Sequence, residues 1–213
     1  MRPDFESITG QFPREVPVFP LPETVLFPGS LLPLHIFEPR YRRLVEDLLA
    51  GDGLLAIGLL DRCDPAEYEQ TPPFLPTVCV GKLIHHEALP DGRSNIALLG
   101  ISAGFAEPVE SGRPYRVAEV ELLADQLDLG QDLDHKLERA YRQTAQAPGG
   151  LDGLRVQLGQ FLDTERLPAA LINTCALTAP IFPRDKLGLL EERSLKRRLD
   201  RLIEFLERPW QWN

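Results

Sequence analysis

The pattern of the chain changes once, at Leu123, and that change limits the folds open to it. Before it, prolines and glycines interrupt short apolar runs. After it, leucines recur with the period of a helix. In the first part, Val16-Pro17-Val18-Phe19 and Leu31-Leu32-Pro33-Leu34-His35-Ile36 read as short strands. Their prolines predict edge or bulged strands, because proline has no N–H to donate to a ladder. Tyr41, Leu44, Val45, Leu48 and Leu49 share one helical face, opened near Pro39 and closed at Gly51. The apolar run Leu54–Leu60 predicts a buried strand, and residues 61–76 a polar, proline-bearing loop. Further strands are expected at Thr77–Ala88, Asn95–Leu99, 101–107 and 115–123, with a hairpin turn at Pro90-Asp91-Gly92-Arg93. So many short strands around a single helix predict a small, strongly bent sheet or a partly closed barrel.

The second part predicts a helical bundle. Leu129, Leu133, Leu137 and Tyr141 mark its first helix, broken at Pro148-Gly149-Gly150. Leu151, Leu154, Leu158 and Leu162 mark the second, and a third runs from Pro168 to Ala179. A short fourth covers Pro183 to Glu192. The last carries Leu195, Leu199, Leu202, Ile203 and Leu206, with Ser194 as N-cap and Pro209 as stop. The expected class is α+β, with residues 1–123 β-rich and residues 124–213 helical.

Composition bounds the function classes. The 213 residues suffice for a core without staples. No run of about 18 apolar residues points to a membrane span, and Met1-Arg2-Pro3-Asp4-Phe5-Glu6 leads into no signal-peptide core. Three cysteines (Cys63, Cys79, Cys175) read as free thiols of a reducing cytoplasm. The net charge of −9 is uneven: residues 1–123 hold 10 Lys/Arg against 18 Asp/Glu, and residues 124–213 hold 13 against 14. An acidic β half repels phosphate, so nucleic acid is not an expected partner.

Motifs for chemistry lack their context. A phosphate cradle needs G-x-x-x-x-G-K-[ST]; here Gly81-Lys82 is followed by Leu83, with Pro76 at the first glycine position. Gly51-Asp52-Gly53-Leu54-Leu55-Ala56 fits a dinucleotide pattern, but a helix precedes it and a strand follows, so Gly51 reads as a helix C-cap. Gly100-Ile101-Ser102-Ala103-Gly104 fits a nucleophile elbow, which requires a helix next; Pro108 opposes one, and His135 is the only downstream histidine. A serine hydrolase using Ser102 is thus a minor alternative. Cys79 and His85 lie about 20 Å apart along one strand, too far for one ion, and His85 and His86 point to opposite faces. Cys63 has only Arg62 beside it to lower its pKa. No catalytic residue, metal or cofactor is expected.

The words Val16-Pro17-Val18-Phe19-Pro20-Leu21-Pro22, Val25-Leu26-Phe27-Pro28-Gly29 and Leu32-Pro33-Leu34-His35-Ile36-Phe37-Glu38-Pro39-Arg40-Tyr41 resemble the opening signature of the Lon protease N-terminal domain family. Val80-Gly81-Lys82-Leu83-Ile84, Leu89-Pro90-Asp91-Gly92, Leu98-Leu99-Gly100-Ile101 and the Lys186–Glu191 and Leu199–Leu202 tail resemble later parts of it, although no arginine follows Gly100 at the family's usual offset. The wording is closest to the bacterial stand-alone branch. The resemblance implies a PUA-like pseudo-barrel followed by a helical bundle, without ATPase or Ser-Lys protease parts. It implies a cytoplasmic, non-catalytic module that binds unfolded or extended polypeptide, recruiting or shielding it or regulating a protease in trans. A protease or chaperone partner is compatible with that role.

Phe27, Leu34, Phe37 and Tyr41 are the candidate peptide-binding residues, because open strand edges beside large apolar groups accept an extended chain. The competing expectation is that these side chains fill the core. Glu38, Arg40, Arg42 and Arg43 are expected to be solvated or paired with one another. Trp210 and Trp212 are expected to dock on their own bundle or on a second subunit, as in a homodimer. A small-molecule sensor with a cleft between the two halves, and an RNA binder opposed by the charge, are the other readings.

Overall fold

The structure, a computed structural model, describes residues 15–70, 72–147 and 167–207. The expected features at 1–6, 148–162 and 209–212 lie outside them. Six strands and six helices are described, in the order β1 (Glu15–Leu21), β2 (Leu31–Ile36), α1 (Pro39–Ala50), β3 (Leu54–Leu60), α2 (Pro65–Gln70), β4 (Phe74–Ala88), β5 (Ser94–Val109), β6 (Arg116–Leu123), α3 (Leu133–Gln146), α4 (Leu167–Thr178), α5 (Pro183–Glu191) and α6 (Leu195–Glu207). The class is α+β, as the sequence predicts.

The strands form one mixed sheet in the order β2-β5-β4-β3-β1-β6, and β6 also pairs with β5. The pairings therefore close into a circuit through β5, β4, β3, β1 and β6, with β2 attached as a flap to the first half of β5. It is an irregular closure and not a regular barrel. Two bulges bend it. Ile101 is the extra residue on β5 where Val80 and Gly81 face Ser102 and Gly100, and Ile84 is the extra residue on β4.

Three expectations are corrected. β1 is not an edge strand: it lies between β3 and β6. Its prolines are tolerated because the partners overlap only at Val18. Glu15–Val18 pairs with β6 and Val18–Leu21 with β3, so each of Pro17 and Pro20 has a ladder on one side only. Residues 95–99 and 101–107 are not two strands but one, because the bulge absorbs the irregularity that Gly100 announces. The loop at 61–76 contains a helical turn, α2, so the β-rich half carries two helices. Asp64 Oδ1 accepts the Glu67 N–H at 2.8 Å and starts that turn.

Two cores result. Inside the circuit sits a cluster of mostly small and β-branched residues: Val16, Val18, Leu54, Ala56, Val78, Val80, Ile101, Ala106, Ala118 and Val120. A tight barrel has room for little more. The larger cluster covers the outer face of the sheet and runs without a break from Phe19, Phe27, Tyr41 and Leu44 to Ile172, Leu189, Leu199 and Leu202. At about 1.5–3 kcal/mol per large side chain buried, this shared cluster is the main force joining strands to helices. α4 is buried over nearly its whole circumference (Ala170, Ile172, Asn173, Thr174, Cys175, Ala176), so it reads as apolar without an amphipathic stripe. No described helix is long and apolar enough to cross a membrane.

Candidate functional site

Among the described residues β2 pairs with β5 alone, and Pro33 sits in its middle. Its last residue, Ile36, anchors it in the core. Phe37 follows and swings outward to 60 % exposure. Pro39 then opens α1, fixing the backbone angle of the first turn. Sequence order thus places an open strand, an exposed aromatic ring and a helix N-terminus at one corner. Phe37 stacks on His35, 6.3 Å away between ring centroids. His35 Nδ1 in turn lies 2.8 Å from Asn95 Oδ1, and Asn95 donates to Glu87 Oε2 at 2.9 Å, tying β2, β5 and β4 together on the side turned away from Leu34, Ile36 and Ile96.

Beside Phe37 lies an open depression of about 280 Å³ lined by Glu38, Pro39, Arg40 and Tyr68. Its floor is a clamp. The Arg40 guanidinium lies over the rings of Tyr41 and Tyr68, 4.7 Å and 4.8 Å from their centroids. Arg40 Nε and Nη2 donate to Glu38 Oε2 at 3.0 Å and 2.7 Å, and Nη1 donates to the Tyr68 carbonyl at 2.6 Å. The Tyr68 hydroxyl donates to Glu38 Oε1 at 3.2 Å. Burial raises the pKa of the Tyr41 phenol well above the usual tyrosine range, with Arg40 opposing and Glu38 adding to the shift. Among the described residues the buried Tyr41 hydroxyl has no hydrogen-bond partner. Partial burial and Glu38 push the Tyr68 phenol up as well. Both phenols therefore stay neutral, and that of Tyr68 donates to Glu38.

The four sequence candidates separate here. Phe27 and Tyr41 are core residues at 0 % and 2 % exposure, as the packing expectation has it; Leu34 is half-buried at the margin of the same core, and Phe37 is exposed. α2 and Tyr68 were missed, because a six-residue helix in a polar stretch leaves no periodicity to read.

The remaining motifs resolve into packing. Gly100 needs no side chain because the turn after Leu26 lies on it: a Cβ there would stand 2.1 Å from the Phe27 carbonyl oxygen. Gly29 N–H donates to the Gly100 carbonyl, and Gly100 N–H to the Ser30 carbonyl, each at 2.8 Å. A Cβ on Gly104 would meet Val120 at 2.6 Å. Ser102 sits mid-strand and donates to the carbonyls of Ala103 and Leu123, with no strand-to-helix turn to project it. Gly51 closes α1 through N–H bonds to Asp47 and Leu48. Cys79 is fully buried and His85 exposed, and among the described residues no three His, Cys, Asp or Glu could hold a metal ion. Desolvation and then Glu67, Asp64 and Asp61 raise the Cys63 thiol, the opposite of an activated thiolate.

A fully buried arginine went unnoticed in the sequence. Arg198 is 0 % exposed on the apolar face of α6. Its Nη2 and Nη1 donate to Asp125 at 2.6 Å and 3.2 Å, Nη1 to Asn173 Oδ1 at 2.6 Å, Nε to the Leu189 carbonyl at 2.9 Å and Nη2 to the Glu192 carbonyl at 2.7 Å. Asn173 passes the connection on, donating to the Pro28 carbonyl at 2.9 Å. The signal was present: Arg198 lies three residues after Leu195 and four before Leu202, inside the leucine stripe.

Comparison with known proteins places this geometry. Residues 15–208 match the family model described as the ATP-dependent protease La (LON) substrate-binding domain. Lon protease 2 of Sorangium cellulosum is 28 % identical over 200 residues, which are 91 % of this chain and 24 % of that protein. Lon protease 1 of Herpetosiphon aurantiacus is 28 % identical over 210 residues, 94 % of this chain and 25 % of that protein. The chain thus spans about a quarter of the length of these curated relatives. Among solved structures, a Lon N-terminal domain protein from Xanthomonas campestris superposes with a TM-score of 0.64 at 21 % identity, over 90 % of this chain and 98 % of that one. The N-terminal domain of a Mycobacterium avium complex Lon protease gives 0.63 at 16 %, over 90 % and 97 %. At these identities the superpositions speak for the fold.

Proposed function

This chain belongs to the ATP-dependent protease La (LON) substrate-binding domain family, and from that premise we propose that it is a substrate-recognition module that holds extended, non-native polypeptide at the β2–α1 corner and does not cut it. The observation that carries this is Phe37: a ring 60 % exposed at the end of an edge strand, beside an open depression. Large apolar side chains left in water next to a concave surface mark interaction sites. An extended segment lies along the outer side of β2 near its Ile36 end. One of its apolar side chains packs on Phe37 and the margin of Leu34, and the next enters the depression over Tyr68. Phe27 and Tyr41 serve from below, holding the β2 turn and the Arg40 clamp in place. In this role the protein recruits or shields unfolded chains, or presents them to a protease in trans.

A reduced, permanently unfolded protein tests the reading by fluorescence anisotropy. Binding is expected with the unfolded form and not with the same protein folded, and Phe37→Ala is expected to weaken it about tenfold or more, as for an anchor residue. No binding at high micromolar concentration, or equal binding by Phe37→Ala, would overturn it.

A further inference from the structure

The segment that brings Tyr68 to Arg40 is anchored at its base and latched at its tip. At the base the Asp61 N–H donates to the Pro73 carbonyl at 3.1 Å, Asp61 pairs with Arg184 at 2.9 Å, and Arg116 Nε donates to the Pro72 carbonyl at 3.1 Å. The two ends of the excursion thus lie side by side, as in an Ω-loop. Between them, none of the described side chains of residues 61–70 belongs to either core. Asp64 serves α2 itself: its carboxylate accepts the Glu67 N–H and its carbonyl the Tyr68 N–H, at 2.8 Å and 3.0 Å. Beyond the base, the described contacts from this segment to the rest of the molecule are those of Tyr68. Its ring lies against the Arg40 guanidinium, its carbonyl accepts from Nη1, and its hydroxyl donates to Glu38.

A loop seated in the core cannot lift without exposing apolar surface, at about 25 cal/mol per Å². This one lifts when a single polar latch breaks, and water replaces the lost bonds. Glu38 and Arg40 remain bonded to each other at 2.7 Å and 3.0 Å, and Arg40 remains on Tyr41, so no charge is left without a partner. Lifting also widens the depression, because Glu38, Pro39 and Arg40 line it from the body and Tyr68 from the segment. Its volume of about 280 Å³ is at the lower end of sites that enclose a ligand, so a large side chain with backbone on both sides needs that extra width. We infer that residues 61–70 are a strap that lifts to admit the polypeptide and closes on it, with Tyr68 as its latch. The inference rests on the proposed function and adds how its site opens. Phe37, outside the strap, anchors the bound segment, while Tyr68 sets how fast it enters and leaves.

Stopped-flow anisotropy with the whole chain and a labelled, reduced, unfolded protein separates the two roles. Tyr68→Phe keeps the ring on Arg40 and removes the hydroxyl bond to Glu38, so the strap opens more often, whether the site is empty or filled. Association and dissociation should both quicken about fivefold, the effect of one partly exposed hydrogen bond, with Kd unchanged. Phe37→Ala should quicken dissociation alone, because the loss of an anchor contact acts after the encounter. Association of Tyr68→Phe at the parent's rate, or more slowly, would overturn the strap and leave the proposed function standing. Failure of the parent to bind would overturn the proposed function and the strap with it.

Discussion

Two arginines organise two regions of this molecule, and their surroundings differ in a way that separates architecture from recognition. Arg198, in the helical region, is sealed: 0 % exposed, with bonds to Asp125, Asn173 and two backbone carbonyls. Every element near it is fixed by it, including the turn at Pro28 through Asn173. Arg40, at the β2–α1 corner, has comparable bonds and two tyrosine rings, yet it forms the floor of an open depression with a bare phenylalanine at its rim. A guanidinium that is fully enclosed can only hold the fold. One that is held from below and open above also shapes a surface for something else. The contrast teaches where to look for function: at the clamped residue that still meets solvent.

Substitutions sharpen the contrast. Arg198→Met should have the largest effect, a loss on the order of 3–5 kcal/mol in urea unfolding, because Asp125, Asn173 and the carbonyls of Leu189 and Glu192 would be left buried and unsatisfied. A loss under about 1 kcal/mol would mean that water replaces the arginine and that the region is not sealed. Gly100→Ala should cost on the order of 2 kcal/mol, since its Cβ would stand 2.1 Å from the Phe27 carbonyl oxygen and force strand and turn apart. Lys186 gives an effect of the opposite sign. Burial lowers its pKa to about 8, below the ordinary 10.5, while its amine donates to the Leu177 carbonyl. Between those two values the unfolded chain binds more protons than the folded one, so this residue makes stability rise as pH climbs through about 8 towards about 10.5. Lys186→Met should remove that rise and stabilise the protein near pH 7 by about 1–2 kcal/mol, read as an upward shift in Tm. The smallest stability effect belongs to Phe37→Ala, within about 0.5 kcal/mol of the parent, because the ring is already in water.

The sequence reveals this architecture unevenly, for physical reasons. The change from strands to helices along the chain is legible because alternation and helical periodicity are imposed by burial on one face, as in Leu195, Leu199, Leu202 and Ile203. The status of β1 was not legible, since a strand that changes partner at Val18 hides each proline from one ladder only. The continuity of β5 was hidden because a bulge at Ile101 and a contact glycine at 100 look like a break. At the candidate site, composition could not distinguish Phe27 from Phe37. Both follow apolar residues in proline-rich surroundings, and only the sheet register, ending at Ile36, leaves one of them outside the core. Tyr68 comes from a segment with no pattern at all, and long-range closure alone brings it to Arg40.

The central claim, that the open corner at β2 and Phe37 receives polypeptide while the sealed helical region supports it, is tested most directly by hydrogen exchange with and without saturating unfolded protein. The account predicts slowed exchange for amides of residues 31–41 and 65–70, with the segment 188–207 unchanged. Slowed exchange centred on 188–207, or bound polypeptide that leaves residues 31–41 exchanging as before, would contradict it.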